Sequence, residues 1–206
     1  MKKKNIEEMD VVFILDRSGS MSGSEDDTIG GYNSYIKKNK NNNYNVTTVL
    51  FDDKYELLYE GLPINKVKNL TNEEYYTRGS TALLDAIGRT IGYMDSKKSK
   101  KALFIITTDG YENASKEYTK EKIKKLIQKH KNYEFMYIGA DIDSYNEGAS
   151  LGIKKENISN YVKDRKGIGM LFDAVGCASK KVMMNECLDS SWKEDLEEYI
   201  QTNKES

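Results

Sequence analysis

Proline is nearly missing from this chain: Pro63 is the only one in 206 residues, and histidine and tryptophan also occur once each. With one histidine and two cysteines, Cys177 and Cys187, neither of them in a CxxC pair, a Cys/His zinc site has too few ligands. The two thiols are expected to stay reduced. An excess of charge of one sign is lacking as well. Lys and Arg number 32 against 33 Asp and Glu, a formal net charge of −1. That balance gives no argument for nucleic acid or an anionic membrane as a partner. No apolar run approaches the roughly 20 residues of a membrane-spanning helix. The basic start MKKKNIEEMD lacks the apolar stretch of a secretory signal, so cytoplasmic residence is the default expectation. No Gly-rich Walker loop, Ser/His/Asp set or Lys- or His-based nucleophile pair is visible.

What the chain does have is alternation of buried strands with amphipathic helices. Residues 10–20, DVVFILDRSGS, pass from five apolar residues into a polar loop at Asp16. The run VVFIL reads as a fully buried strand. A helix is expected next, with Ile29, Tyr32 and Ile36 on one face and Asp26 and Asp27 at its start. VTTVLF and KYELLYEG, joined at Asp52-Asp53-Lys54, read as an antiparallel hairpin at a sheet edge. Residues 61–80 look irregular. Ser80 or Thr81 is expected to cap a helix carrying Leu84, Ile87 and Ile91, with Gly88 and Gly92 suited to close packing.

KALFIITTDG is a further buried strand ending in an acidic loop at Asp109. The helix KEKIKKLIQKHK follows, with Thr119 as its cap and His130 exposed at its end. Next come the strand YEFMYIGA, a short helix or turn near Asp141 and Asp143, an edge strand NISNYV and a long closing helix. Strands alternating with helices imply a mainly parallel sheet covered on both faces. Organisation is expected as a lead-in over 1–9, one domain over 10–185 and a tail over 186–206. The tail holds a short amphipathic helix with Trp192, Leu196 and Ile200 on one side and a capping box, Ser191 with Glu194. That helix either docks on its own domain or binds a partner.

In open α/β sheets, ligands sit at the carboxyl ends of strands where the strand order reverses. Three polar segments obey that rule. Asp16, Ser18 and Ser20 leave the first strand, and a near-extended exit would point alternate side chains the same way. Gly19 lets the chain turn there. Thr81 opens a helix in RGST, and Asp109 follows a strand expected beside the first. Together they offer two carboxylates and three hydroxyls, a set that suits a small hard cation such as Mg²⁺ better than zinc.

This arrangement resembles the von Willebrand factor A family, whose metal-ion-dependent adhesion site reads DxSxS, then Thr, then Asp. Here the matches are Asp16-Arg17-Ser18-Gly19-Ser20, Thr81 in GSTALLDAI and Asp109 in TTDG. The resemblance covers residues 10–185. It implies a three-layer, Rossmann-like α/β fold: a six-stranded, mostly parallel sheet with one antiparallel edge strand and helices on both faces. It also implies a divalent cation, Mg²⁺ with Mn²⁺ or Ca²⁺ as substitutes, held by Asp16, Ser18, Ser20, Thr81 and Asp109. The function implied is non-enzymatic binding of a protein partner through an Asp or Glu of that partner.

Two alternatives stand beside this expectation. One is a regulatory subunit of an ATPase-driven or stress-response complex. The other is a Mg²⁺-dependent phosphohydrolase, although Ser18 stands where aspartate-nucleophile phosphohydrolases have a second acid. Asp85, one turn after Thr81, either orients a group of the site or only favours the helix dipole. Asp141 and Asp143 are expected to cap a helix. Arg17 and Arg78 either face an acidic partner or are solvated loop charges, and the tyrosines of EEYYTR are expected to pack. The Lys, Asn and Tyr content fits an AT-rich bacterial or phage genome.

Overall fold

The computed structural model describes residues 8–204. Six strands, β1 (Met9–Asp16), β2 (Tyr44–Phe51), β3 (Tyr55–Pro63), β4 (Ala102–Thr108), β5 (Tyr133–Gly139) and β6 (Ile158–Asn160), form one sheet in the order β3-β2-β1-β4-β5-β6. All neighbours are parallel except the β2–β3 hairpin, so β3 is the antiparallel edge strand. The lone proline closes β3, at an edge, where its missing N–H leaves no central ladder bond unmade. Most of the expected lead-in, residues 1–7, lies outside the described residues, and Met9 already belongs to β1.

Strand alternation sorts the core into two layers. In β1, Val11, Phe13 and Leu15 point to one face and Val12 and Ile14 to the other. The first face is covered by α1 (Glu25–Asn39) and α5 (Arg165–Met183), through Tyr32, Tyr35, Leu171, Phe172 and Val175. The second is covered by α2 (Leu83–Ser96) and α3 (Lys120–Lys129), through Leu84, Ile87, Ile91, Ile123 and Ile127. The short α4 (Ser144–Ser150) lies beside β5 and β6 on that side. Each fully buried apolar side chain contributes about 1.5–3 kcal/mol by leaving water. The chain is thus a three-layer α/β fold with the expected element order.

The tail packs into this body. Leu188, Trp192 and Leu196 are buried in the same cluster as β1 and α5, and α6 (Glu194–Lys204) rests against α5 and β6. Trp192 Nε1 donates to the carbonyl of Glu156, and Lys193 Nζ donates to that of Ile158 at 2.6 Å. The capping box does not form. Ser191 instead bonds Asp189, which accepts from the Ser191 amide.

Other local expectations divide the same way. Thr119 caps α3 through the Lys122 amide, and Asp143 caps α4 through that of Asn146. Asp141 caps nothing and holds a left-handed backbone at φ 55°. His130 is not an exposed helix end. Its ring stacks on Tyr133, and its nitrogens meet the Leu126 carbonyl and Asp95. Gly88 does mark close packing, since a Cβ there would lie 2.4 Å from the Tyr118 ring, whereas Gly92 faces open space. Both cysteines are free and exposed. No helix of the described residues is long and apolar enough to cross a membrane.

Candidate metal centre

The strand order reverses between β1 and β4, because β1 connects through α1 to β2 on one side while β4 lies on the other. Asp16 ends β1, and Asp109 follows the last residue of β4. Both carboxylates therefore flank the crevice at the carboxyl edge.

Ser18 leaves β1 extended, at φ −65° and ψ 169°, and its amide donates to Asp16 Oδ1 at 2.6 Å. Ser20 sits in the 3-10 turn Gly19–Met21, which folds it back until its Oγ is 3.1 Å from Ser18 Oγ. Thr81 Oγ1 donates to Ser18 Oγ at 3.0 Å. The three hydroxyls thus form one contiguous group drawn from two loops. The third loop closes against them at Gly110. A Cβ at this position would lie 2.9 Å from both Ser20 Oγ and Thr81 Oγ1, so only glycine lets the backbone after Asp109 come this near.

Asp109 Oδ2 pairs with Lys163 Nζ at 2.5 Å, and the same ammonium donates to the Ser20 carbonyl. Asp109 Oδ1 is buried and has no hydrogen-bond partner. Asp16 is fully buried, and Thr108 Oγ1 donates to its Oδ2 at 2.5 Å. Burial pushes the Asp16 carboxyl up to about 6, and the charge of Asp109 adds to this. The hydrogen bonds from Thr108 and Ser18 work against it. The structure thus brings the hydroxyls of Ser18, Ser20 and Thr81 together beside the carboxylates of Asp16 and Asp109. The donors are all oxygens, and a buried carboxylate oxygen stands unsatisfied. That chemistry fits a hard divalent cation.

Thr81 does not cap α2. The N-cap is Ala82, and the hydroxyl of Thr81 is turned to Ser18 instead. A neighbouring loop supplies the missing cap. Glu112 Oε2 accepts from the Leu84 amide and Ser115 Oγ from that of Asp85. Asn113 Oδ1 accepts from the Thr81 amide at 2.9 Å, which fixes the backbone of the site residue. Asp85 reaches away from the crevice and accepts from the amides of Lys116, Glu117 and Tyr118. Burial alone would raise its carboxyl, but these N–H groups outweigh it and hold the group below its usual range.

Arg17 is neither solvated nor free for a partner, whereas Arg78, with its side chain 34% exposed, is tied to the same cluster but still meets solvent. Arg17 is 1% exposed; its guanidinium bonds Asp52 at 3.1 Å, Glu56 at 2.7 Å and the Glu74 carbonyl. Arg78 bonds the same Asp52 oxygen at 2.6 Å. Around this cluster, the Arg78 amide donates to the Arg17 carbonyl, Gly19 to Gly79 and Ala82 to Asp52. These bonds pin the Thr81 loop to the serine loop. The left-handed turn falls at Gly79, φ 67°, rather than at Gly19; a Cβ on Gly79 would lie 2.3 Å from Asp53 Oδ1. Tyr75 of EEYYTR is buried and donates to the Asp16 carbonyl at 2.5 Å.

Sequence reasoning missed Thr108, Asp52 and Lys163. The double threonine before Asp109 is a usable signal for the first. Nothing local points to the other two.

No protein-family profile and no curated protein matches the chain. Solved structures do. Proximal thread matrix protein 1 from the mussel byssus is similar over 85% of this chain, at a TM-score of 0.62 and 16% identity. This chain spans 46% of that protein, which has also been solved with a zinc-occupied MIDAS motif. Manganese-loaded TRAP protein of Plasmodium vivax is similar at 0.61 and 19%, over 81% of this chain and 72% of that one. A von Willebrand factor type A structure from Catenulispora acidiphila is similar at 0.60 and 16%, over 84% and 42%. With its sheet order, its antiparallel edge and these likenesses, the chain has the fold of a von Willebrand factor type A domain.

Proposed function

We propose that this chain is a non-enzymatic protein-binding module whose grip depends on a divalent cation. Asp16, Ser18, Ser20, Thr81 and Asp109 would hold that cation, directly or through water, with Mg²⁺ the best fit to an all-oxygen set and Mn²⁺ or Ca²⁺ as substitutes. The observation that carries the reading is the meeting of three hydroxyls within 3.1 Å beside a buried, unpartnered oxygen of Asp109.

The charge balance gives the chemistry. Two carboxylates at most neutralise a divalent ion, and hydroxyls add no charge. Bound there, the cation supplies an electrophilic position for an Asp or Glu of a partner protein. The chain's own residues orient the site. Thr108 and the Ser18 amide fix the Asp16 carboxylate, Asn113 fixes Thr81, and the arginine cluster locks the loops together. The zinc of the mussel structure and the manganese of the Plasmodium structure support a metal site on this fold.

Calorimetric titration of Mg²⁺ and Mn²⁺ tests the site. Wild-type chain should bind one ion, and Asp109→Ala should lose at least about a hundredfold in affinity while its circular dichroism stays native. Partner capture from the native host should fail in EDTA and return with Mg²⁺. Equal capture in both conditions would falsify the adhesion reading.

A further inference from the structure

We infer that Lys163 is a tethered counter-ion that competes with the metal for Asp109 and so sets the metal affinity of the site. The inference rests on the metal-site reading above. Its ground is geometric. Lys163 Nζ lies 2.5 Å from Asp109 Oδ2 and also donates to the carbonyl of Ser20. One ammonium therefore bridges the first and third loops of the site, at residues that would ligate the ion. A lysine and a divalent cation on one carboxylate repel each other, and the repulsion is strong because the Asp109 side chain is only 1% exposed.

The backbone beneath Lys163 is held firmly. The next residue, Asp164, caps α5 through the Gly167 amide at 2.6 Å and accepts from Tyr199 of α6 at 2.9 Å. Gly167 lies so near the Val162 carbonyl that a Cβ on it would be 2.2 Å away. The side chain is thus presented to Asp109 from a fixed base and keeps freedom at its tip, being 21% exposed. Lys166, three residues on, is directed elsewhere: its ammonium lies over the Tyr199 ring at 4.3 Å. A metal taken up at the free Asp109 Oδ1 repels the Lys163 ammonium on Oδ2 of the same carboxylate and drives that charge toward the rim that meets an acidic partner.

The experiment compares full-length wild type, Lys163→Met and Lys166→Met, stripped with EDTA and dialysed, in titrations with Mg²⁺ and Mn²⁺ and in thermal melts. Lys163→Met should bind either ion about tenfold more tightly, the scale of one charge-assisted hydrogen bond that no longer competes. Lys166→Met, which removes the same charge nearby, should stay within about twofold of wild type. Without metal, Lys163→Met should melt lower than wild type; at saturating metal the two should coincide. Lys163→Gln repeats the test with a polar side chain.

Equal or weaker metal binding by Lys163→Met would overturn the inference, as would a melting loss of the same size with and without metal, which marks a purely structural ion pair. Should wild type and both Lys163 variants all fail to take up metal, the metal-site reading itself falls, and the competition with it.

Discussion

Two fully buried aspartates stand at neighbouring strand ends, and they are treated in opposite ways. Asp16 ends β1, and Asp52 follows Phe51, the residue paired with Asp16 across the sheet. Asp52 is saturated with charge, with Arg17 and Arg78 on Oδ2 and the Lys54 amide on Oδ1. Burial alone would raise its carboxyl, but the Arg78 and Lys54 hydrogen bonds and both arginine charges outweigh it and hold it below the usual range. Asp16 has only a hydroxyl and an amide, and burial carries it to about 6. The first arrangement is a fastener between loops. The second leaves negative charge that neutral donors cannot balance, which is the condition a cation site requires.

The sharpest way to break this contrast is Asp52→Ala. It strands the Arg17 guanidinium beside Glu56 alone among acids, and should cost about 3 kcal/mol or more. In a chain of this size that is a melting shift of roughly 6–12 °C. A loss below about 1 kcal/mol in a denaturant titration would mean that Asp52 is no fastener. Thr81→Val acts on the other aspartate's neighbourhood. It should weaken Mg²⁺ binding about tenfold while the melt moves by less than about 1 kcal/mol. A large stability loss with unchanged metal affinity would reverse the roles assigned to the two clusters.

Asp85 gives the smallest and most specific effect. Its carboxyl is held below the usual value, so its contribution is present above about pH 4 and is lost as pH falls through the folded-state value. Asp85→Asn should cost about 1 kcal/mol at pH 7. The gap to wild type should narrow below about pH 4 in acid-unfolding curves. A gap independent of pH would show that shape, not charge, matters at this position.

The fold was legible because periodicity writes it plainly. VVFIL and LFIIT can only be buried on both faces, and the helices between them carry apolar stripes. The nearness of the five candidate residues could be anticipated because Asp16, Ser18, Ser20 and Asp109 follow strands at the switch point, Thr81 precedes a helix, and all five occur in a spaced pattern. The arginines were not legible. Arg17 sits between Asp16 and Ser18 in a polar loop, where solvent exposure is the ordinary expectation. Its burial depends on Asp52 and Glu56, which are 35 and 39 positions away. Lys163 is more distant still from Asp109, and no local rule joins them. The helix cap at Thr81 was misjudged for a related reason. A threonine before a helix normally caps it, but here a distant loop supplies Glu112 and Ser115 and releases the hydroxyl to Ser18.

The docked tail carries one more consequence. β6 is the last strand of the sheet, and such margins are prone to recruiting stray extended chains. Here the carbonyls of Glu156 and Ile158 already accept from Trp192 and Lys193. The C-terminal segment therefore blunts that margin and discourages fibre-like stacking of one molecule on another.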